Sequence, residues 1–538
     1  MGARPIDVPH SGNLVLLRRL AADLAGLGYT VDGVADLLGP AAHAALARDQ
    51  IVPALVALER QSQNGAAARR GALATVVRFF LLGQSAGAEE LEGAFPTLRA
   101  EGLLELGLAE EAVEEPREQA APALRASVDL RPYAWDEGGG EFHLWVASDL
   151  AAHQRTGVLR KDHVLGIGQA SATLIQSTAR RPVERALDLG TGCGIQTFHL
   201  LRHARHVVAT DVSERALAFT RFNLLLNAET LAIDPECLDE RVELRLGSLL
   251  EPVAGDRFDM VVSNPPFVIT PRLQGETAED RFTYRDAGLA GDQLVADLVS
   301  GLADVLLEGG TAQMLGNWEV GEGAAWHDRV RSWVPAGLDA WVVQRELVGP
   351  EQYAETWLQD ASEQRDLASY TRSYAAYLDD FSSRNVSGIG FGMLWFRRPS
   401  AAQARLDRYE ELGHPLEQPI GPHWQATVER ADWLEGLGPE GFSAAHLVVA
   451  DDVTEERHQR PGAEHPGVIL LRQGAGFRRT SLLSTEQAGF VSACDGDLSV
   501  GQIAGALGAL LERDDEEFRR DLMLQVRELT LDGFLVKA

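Results

Sequence analysis

Phe258-Asp-Met-Val-Val-Ser-Asn-Pro-Pro-Phe267 is the stretch of this chain whose residue types and order are best suited to chemistry. An apolar run that reads as a strand ends on Asn264-Pro265-Pro266, and open α/β sheets bind ligands at the carboxyl ends of their strands. The Asn264 side-chain oxygen and the Pro265 carbonyl can each accept one N–H bond, so together they can hold a planar NH2 group. Proline fixes φ and keeps its carbonyl in place. Phe267 can stack on the planar group. The lone pair of such a nitrogen is delocalised, and two acceptors would localise it and aim it at an electrophile. Catalysis would then be positioning and electrostatics, without a covalent intermediate. The other reading of these residues is a structural Pro-Pro turn.

Upstream, Arg185-Ala-Leu-Asp-Leu-Gly-Thr-Gly-Cys-Gly194 reads as a strand running into a glycine-rich turn, with a helix opening at Ile195. Gly190, Gly192 and Gly194 let the backbone turn tightly and approach a ligand, and the helix beyond offers unpaired N–H groups to a carboxylate. Glycines at this spacing also suit a nicotinamide site or a plain strand–helix turn. Asp188 shifts the balance, because an acid there repels a pyrophosphate and suits the amino group of an amino-acid cofactor. The next strand ends in Asp211, whose carboxylate can accept both hydrogen bonds of a ribose diol or cap the helix that follows.

Asp188-Leu-Gly-Thr-Gly-Cys-Gly194 resembles the first motif of class I methyltransferases, which bind S-adenosyl-L-methionine, and Asp211 matches the acid of their second motif. In that family Gly-Asp often follows the third strand, the Asp holding the adenine amino group. Here Gly247-Ser248-Leu249 stands instead, which assigns the contact to Ser248 Oγ or to the backbone beside it. The resemblance implies a cofactor site made by Asp188, Gly190, Thr191, Gly192, Gly194, Asp211, Val212, Ser248, Leu249 and Asn264. It implies methyl transfer at Asn264, Pro265, Pro266 and Phe267, with no metal. Asn-Pro-Pro-Phe resembles the HemK/PrmC protein-glutamine methyltransferases, which usually have Tyr where this chain has Phe267. The Phe form is commoner among relatives that methylate guanine N2 in ribosomal RNA. Tyr284-Arg-Asp-Ala-Gly-Leu-Ala-Gly291 and Leu307-Glu-Gly-Gly310 also resemble the glutamine group.

These residues need a frame. From about residue 182 to 320 short apolar runs alternate with helical patterns, which predicts a doubly wound parallel sheet. The strands expected are Arg185–Leu189, His206–Asp211, Val242–Gly247, Phe258–Ser263 and Thr311–Gly316, followed by Ala340–Leu347 and Ile389–Arg397. Val242–Leu246 alternates, which places it nearer an edge. Ser213–Asn227 and Gly291–Leu307 are expected helices. Asp162–Ser171 precedes a helix at Ala172–Thr178 and reads as a lid over the cofactor or as simple helix packing. Trp318 reads equally as pocket wall or core.

The fold expected is α/β: a Rossmann-like, seven-stranded methyltransferase domain over residues 126–400. Its N-terminal hairpin has strands around Tyr133–Trp135 and Phe142–Val146. Residues 1–125 read as a helical domain that includes Ala72–Leu82, Ala88–Phe95 and Thr97–Leu106, with Glu110–Glu118 as an acidic linker. Residues 401–538 read as a linker followed by a small winged-helix or PqqD-like domain built on Val500–Leu511, Glu516–Leu531 and Phe534–Val536. The rhythm of residues 79–105 echoes it.

Composition narrows the partners. Of 538 residues 45 % are hydrophobic, which fits cores of globular size. The formal charge is −30, which disfavours a nucleic-acid backbone unless a local basic patch exists. Arg180, Arg181 and Arg185 form only a short cluster. Cys193, Cys237 and Cys494 are far apart, without zinc spacing, and suit a reducing cytoplasm. The first residues lack a signal-peptide core, and no run of 18 apolar residues predicts a membrane span.

The reading is therefore an S-adenosylmethionine-dependent N-methyltransferase acting on a side-chain amide of a protein or peptide. One alternative is an exocyclic-amine methyltransferase on rRNA or tRNA, which predicts an Arg-lined cleft beside Asn264. Another is a non-catalytic regulatory protein that keeps the cofactor fold.

Overall fold

The computed structural model describes residues 7–48, 50–63, 68–112, 123–151, 153, 154, 160, 162–271, 289–360, 366–400, 405–513 and 515–538. Its centre is an eight-stranded sheet. In chain order the strands are β1 (Val183–Leu189), β2 (Ala204–Asp211), β3 (Val242–Leu246), β4 (Phe258–Ser263), β5 (Leu306–Gly321), β6 (Asp339–Val348), β7 (Val386–Arg397) and β8 (Asp407–Glu411). Across the sheet they run β8-β6-β7-β5-β4-β1-β2-β3. Strands β1 to β5 are mutually parallel, and β7 lies antiparallel between β5 and β6. The order reverses between β1 and β4, so the crevice at the switch point opens at their carboxyl ends, above Leu189 and Ser263, which pair directly. Alternating Val242–Leu246 takes the free edge, as its pattern predicts.

The sheet has one strand more than the seven expected. β8 lies in the segment read as a linker and pairs in parallel with β6. Its sequence, Asp-Arg-Tyr-Glu-Glu, is too charged to read as a buried strand. It is tolerated because the sheet ends there and because Arg408 and Glu410 find partners in the C-terminal part. The sheet therefore continues past residue 400.

The helices that cover the sheet and follow it are α1 (Gln169–Ser177), α2 (Ile195–Leu200), α3 (Glu214–Leu226), α4 (Gln293–Val305), α5 (Asp328–Trp333), α6 (Pro350–Asp360), α7 (Leu367–Ser383), α8 (Gly421–Ala444), α9 (Thr485–Ser492), α10 (Val500–Leu510) and α11 (Glu516–Asp532). One apolar core lies on the α3 face and runs on into the N-terminal helices; a second lies on the α4 face. Trp318 is fully buried in the second core, stacked on Trp326, and is not a pocket wall.

The expected hairpin is longer than its signal. Asp129–Glu137 and Gly140–Ser148 pair across Gly138-Gly139, both at positive φ as a two-residue turn requires. Two buried asparagines of α3 act as a substitute strand for it. Asn223 bonds the N–H and C=O of Ala147 at 2.8 and 2.9 Å, and Asn227 bonds those of Trp145 at 2.8 and 2.7 Å. The outer side of the hairpin takes the Tyr29 hydroxyl on the Leu130 carbonyl. The hairpin thus joins the N-terminal helices to the sheet.

The segment before residue 126 is not purely helical. Helix Ala68–Val76 continues as a wider turn through Leu81, then come strand Ala86–Gly87, helices Ala88–Ala94 and Arg99–Glu105, and strands Ala109–Glu111 and Ala123–Ala126. The last strand lies between the other two, antiparallel to both. The acidic stretch read as a linker therefore starts as a strand, and residues 113–118 fall outside the described residues. Helix Arg99–Glu105 follows a staple in which buried Asp23 accepts the N–H groups of Thr97 and Leu98.

The C-terminal part has the same rhythm. Helix α9, strand Asp495–Ser499, helices α10 and α11 and strand Leu535–Lys537 follow one another. Here the middle strand, His446–Val449, comes from upstream and is antiparallel to both neighbours. Both α9 and α10 open with a capping box, on Ser484 and Ser499. A second antiparallel sheet, Val453–His458, Val468–Gln473 and Thr480–Leu483, packs beside them. Among the described residues no helix is long and apolar enough to cross a membrane.

Candidate active site

Sequence places the glycine loop after β1 and Asn264 after β4; the sheet brings them together. The loop passes through Gly190 (φ +78°), Gly192 (φ +59°) and Gly194 (φ +93°) into α2. At Gly194 a Cβ would lie 3.2 Å from the Thr220 methyl and 3.3 Å from the Phe198 ring, so packing and dihedral both demand glycine there. At Gly190 a Cβ would come within 4.0 Å of the Asn264 carbonyl, which measures how closely the two motifs approach. The Ser263 hydroxyl donates to the Leu189 carbonyl at 2.8 Å and ties the two strand ends.

A cavity of about 440 Å³ opens over this junction. Gly190, Thr191, Gly192, Asp211, Val212, Ser248, Leu249, Asn264, Pro265 and Pro266 line it, as do Leu189, Cys193, Ile195, Gln196, Ala216 and Leu294. Three of the residues proposed from sequence do not: Asp188 stands behind the loop, Gly194 ends it at the start of α2, and Phe267 packs, partly buried, against both cores. Asp188 was expected to face the cofactor directly. It is fully buried, and one of its oxygens accepts the hydroxyls of Thr191 and Thr197 at 2.8 and 2.6 Å. It shapes the loop from behind, while its other oxygen, Oδ1, has no hydrogen-bond partner. Burial pushes this carboxyl up to about 6, the two threonine hydroxyls opposing.

Asp211 shares its oxygens between the Gly192 N–H (3.0 Å) and the Ser213 N–H (2.9 Å), and burial raises its carboxyl above the ordinary range. The acid thus fixes the second glycine while standing at the cavity wall. Ser248 is exposed at the rim, beside Leu249, whose φ is +48°. Oδ1 of Asn264 is buried and unpaired, an acceptor the described residues leave unmatched. Such an atom costs about 1–3 kcal/mol.

The segment read as a lid contributes His163, Val164, Leu165, Gly166, Gly168, Ala170 and Ser171 to the cavity. A buried pair that the sequence did not announce holds it down. Asp149 accepts the Val164 N–H at 2.8 Å and is paired with Arg215 of α3, both side chains being 5 % exposed. Further out, the Tyr353 hydroxyl of α6 accepts the N–H of Ile269 at 2.8 Å and the side-chain amide of Asn317 at 2.9 Å. The backbone just after Asn-Pro-Pro-Phe is thereby anchored to a helix 84 residues away. A Cβ at Gly291, just before α4, would lie 2.9 Å from the buried Glu319 carboxylate, which Arg384 pairs, while Arg329 links Glu319 to the buried Asp292. Most of Tyr284–Gly291, residues 284–288, lies outside the described residues.

Of the charged side chains, only Asp211 and His163 line the cavity, and no Arg or Lys does among the described residues. The Arg180, Arg181 and Arg185 cluster sits at the start of β1, away from the crevice, occupied by Glu137, backbone carbonyls and Asp256.

Residues 150–289 match the methyltransferase small domain family, and residues 26–119 match a domain family of unknown function, DUF7059. Three curated relatives are similar to part of this chain. The ribosomal protein uL3 glutamine methyltransferase of Bradyrhizobium diazoefficiens is 35 % identical over 114 residues, 21 % of this chain and 32 % of that one. The release factor glutamine methyltransferase of Salmonella typhimurium is 32 % identical over 154 residues, 27 % of this chain and 52 % of its own. That of Bordetella pertussis is 32 % identical over 187 residues, 33 % and 62 % of the two chains. The similarity thus spans between a third and three fifths of these relatives' length.

Proposed function

We propose that this protein is an S-adenosyl-L-methionine-dependent N-methyltransferase that methylates a side-chain amide nitrogen, of glutamine or asparagine, in a protein or peptide. The observation that carries the reading is the unmatched Asn264 Oδ1 at the wall of a cavity shared with the glycine loop. The cofactor fits the residues present. The Gly190–Gly194 backbone leaves room for close approach, Asp211 offers a carboxylate, and Asp188 keeps an unpaired oxygen behind the loop. When bound, the cofactor supplies an electrophilic methyl group.

The chain's own residues do the rest. Asn264 Oδ1 and the Pro265 carbonyl accept the two N–H bonds of the substrate amide and hold its nitrogen in line. The rigid Pro265-Pro266 pair fixes that carbonyl, and apolar walls at Leu189, Pro266 and Leu294 exclude water. Desolvation strengthens each of these hydrogen bonds. Phe267 supports the turn from the core side instead of stacking on the substrate.

A protein substrate is favoured by the named activities of the three relatives and by the absence of Arg and Lys from the described cavity wall. A nucleobase substrate would bring phosphates that need such residues. The same reading makes both flanking units winged-helix-like, supported by their matching helix–strand–helix–helix–strand order, and suited to engaging a protein partner. It places the enzyme in the cytoplasm, in keeping with three unpaired cysteines.

The test is mass spectrometry of peptides from cells with and without the protein, searching for a gain of one CH2 on Gln or Asn. Labelled cofactor that binds while no protein or peptide fraction becomes labelled overturns the reading.

A further inference from the structure

A second cavity, of about 140 Å³, lies where α8, the 453–483 sheet and the end of α11 meet. His423, Arg430, Asp452, Gln473, Arg479 and Asp532 are among its lining residues. Most of these charges are already matched. Arg479 donates to Glu410 at 2.8 Å. Asp532 accepts from Arg408 at 2.5 Å, and Arg408 also reaches Glu410. Asp452 spends one oxygen on the Ala475 N–H at 3.0 Å.

Arg430 is the exception. It donates to the Thr427 hydroxyl at 2.8 Å and to the Leu531 carbonyl at 3.4 Å, and among the described residues no carboxylate lies within 4.0 Å of its guanidinium. Burial, reinforced by the neighbouring Arg479, pulls its pKa down to about 10. Asp532 and Glu429 act on it only from beyond ion-pair distance, and a guanidinium with donors to spare, set in a polar cavity, is suited to receiving an oxyanion.

Two glycines leave room for the basic groups, the first of them also serving as the left-handed cap of α11. Gly533 has φ +86°, and a Cβ there would lie 2.7 Å from Arg430 Nη2. Gly476 has φ +58°, and a Cβ there would lie 2.4 Å from the His423 ring. Any side chain at either place would displace one of the two basic groups from the cavity. The opposing acids are named above: Asp532 is neutralised by Arg408, and Asp452 faces His423, whose imidazole is held below its usual value by burial.

We propose that this cavity binds a small oxyanion, of the phosphate or carboxylate kind, with Arg430 as its principal ligand and His423 beside it. The site is separate from the crevice over β1 and β4 and does not depend on the methyl-transfer reading.

Isothermal titration of the full chain with inorganic phosphate, sulfate and acetate, each at fixed ionic strength, tests it. At least one should bind saturably with Kd near or below about 1 mM. Preference for phosphate and sulfate marks a tetrahedral ligand, and preference for acetate a carboxylate. Arg430→Gln should weaken binding at least about tenfold, as about 1.4 kcal/mol requires, while cofactor binding in the other cavity stays as it was. Gly533→Ala, which evicts the same guanidinium, should do likewise and serves if Arg430→Gln does not fold. No saturable binding by any of the three anions, or equal affinity in a folded variant, overturns the proposal.

Discussion

The cavity beside Asn264 holds about 440 Å³ and the one beside Arg430 about 140 Å³. The first is walled mainly by backbone and apolar side chains, with an unmatched amide oxygen at its wall and an unmatched carboxylate oxygen just behind. The second is walled by charged groups that are matched to one another across three parts of the chain, leaving one guanidinium over. Unsatisfied polar atoms mark where a ligand completes the structure. In the first cavity they sit on rigid strand ends that can orient a reacting group. Among the described residues the second cavity has none of these; its arginines and carboxylates are ion-paired or hydrogen-bonded, and of its arginines only Arg430 stands outside the ion pairs. On the readings proposed above, the first cavity is a place for chemistry and the second a place for binding.

Four experiments would break or sharpen that contrast. The largest effect is expected for Asn264→Ala, which should lower kcat about 100- to 1,000-fold, the cost of losing one positioned acceptor or donor. Cofactor affinity, followed by fluorescence or calorimetry, should change by no more than about threefold. A collapse of affinity with turnover per bound cofactor intact would make Asn264 a wall and not an acceptor.

Asp188 comes next. Its folded carboxyl titrates near 6, above the ordinary value for aspartate. The raised value means that the folded state holds the proton more tightly, so this group's stabilising contribution is complete below about pH 4. It is lost as pH rises through about 6, at a cost on the order of 1–3 kcal/mol. A cationic cofactor nearby reverses this by favouring the ionised form. Cofactor affinity should therefore rise from pH 5 to pH 7. Asp188→Asn should weaken binding at pH 7 by about tenfold and flatten that slope; a slope unchanged in the variant would assign it to Asp211.

Tyr353→Phe removes the acceptor for the buried Ile269 N–H. Urea denaturation should record a loss of about 1–3 kcal/mol, and turnover should fall with the KM for cofactor unchanged. The smallest effect is expected at the second cavity. Arg430→Gln should leave turnover within about twofold and stability within about 1 kcal/mol, since no ion pair is broken. A large loss of turnover there would join the two cavities into one device.

Legibility in the sequence followed how local each feature is. Asp188 to Gly194 and Ser263 to Phe267 are unbroken strings at strand ends, and most of strands β1 to β5 carry short apolar runs, so loop, motif and switch point could all be read. Asp188 was read only for the amino group of a cofactor; the threonines that share one of its oxygens, Thr191 and Thr197, become partners only when α2 forms. Phe267 has a similar history: an aromatic after Pro-Pro reads as a stacking platform, and the local string does not announce that the ring also packs, partly buried, against two cores. Pairs such as Asp149–Arg215, Asn223–Ala147 and Tyr353–Ile269 join residues 66 to 84 positions apart and leave no local pattern. The eighth strand was hidden by its charge, which only an edge position with arginine and acid partners explains.

The middle strand of the C-terminal unit has a consequence for synthesis. In the N-terminal unit the strand at 123–126 arrives last and closes a sheet whose other members are already made. At the other end of the chain the order is reversed: residues 446–449 leave the ribosome first and must wait for 495–499 and then 535–537. Until then they present two unpaired strand edges, the kind of surface that recruits other chains. Nascent chains that stall within α11 should therefore depend on chaperones, whereas chains stalled once residue 126 has cleared the ribosome should already carry a finished N-terminal sheet.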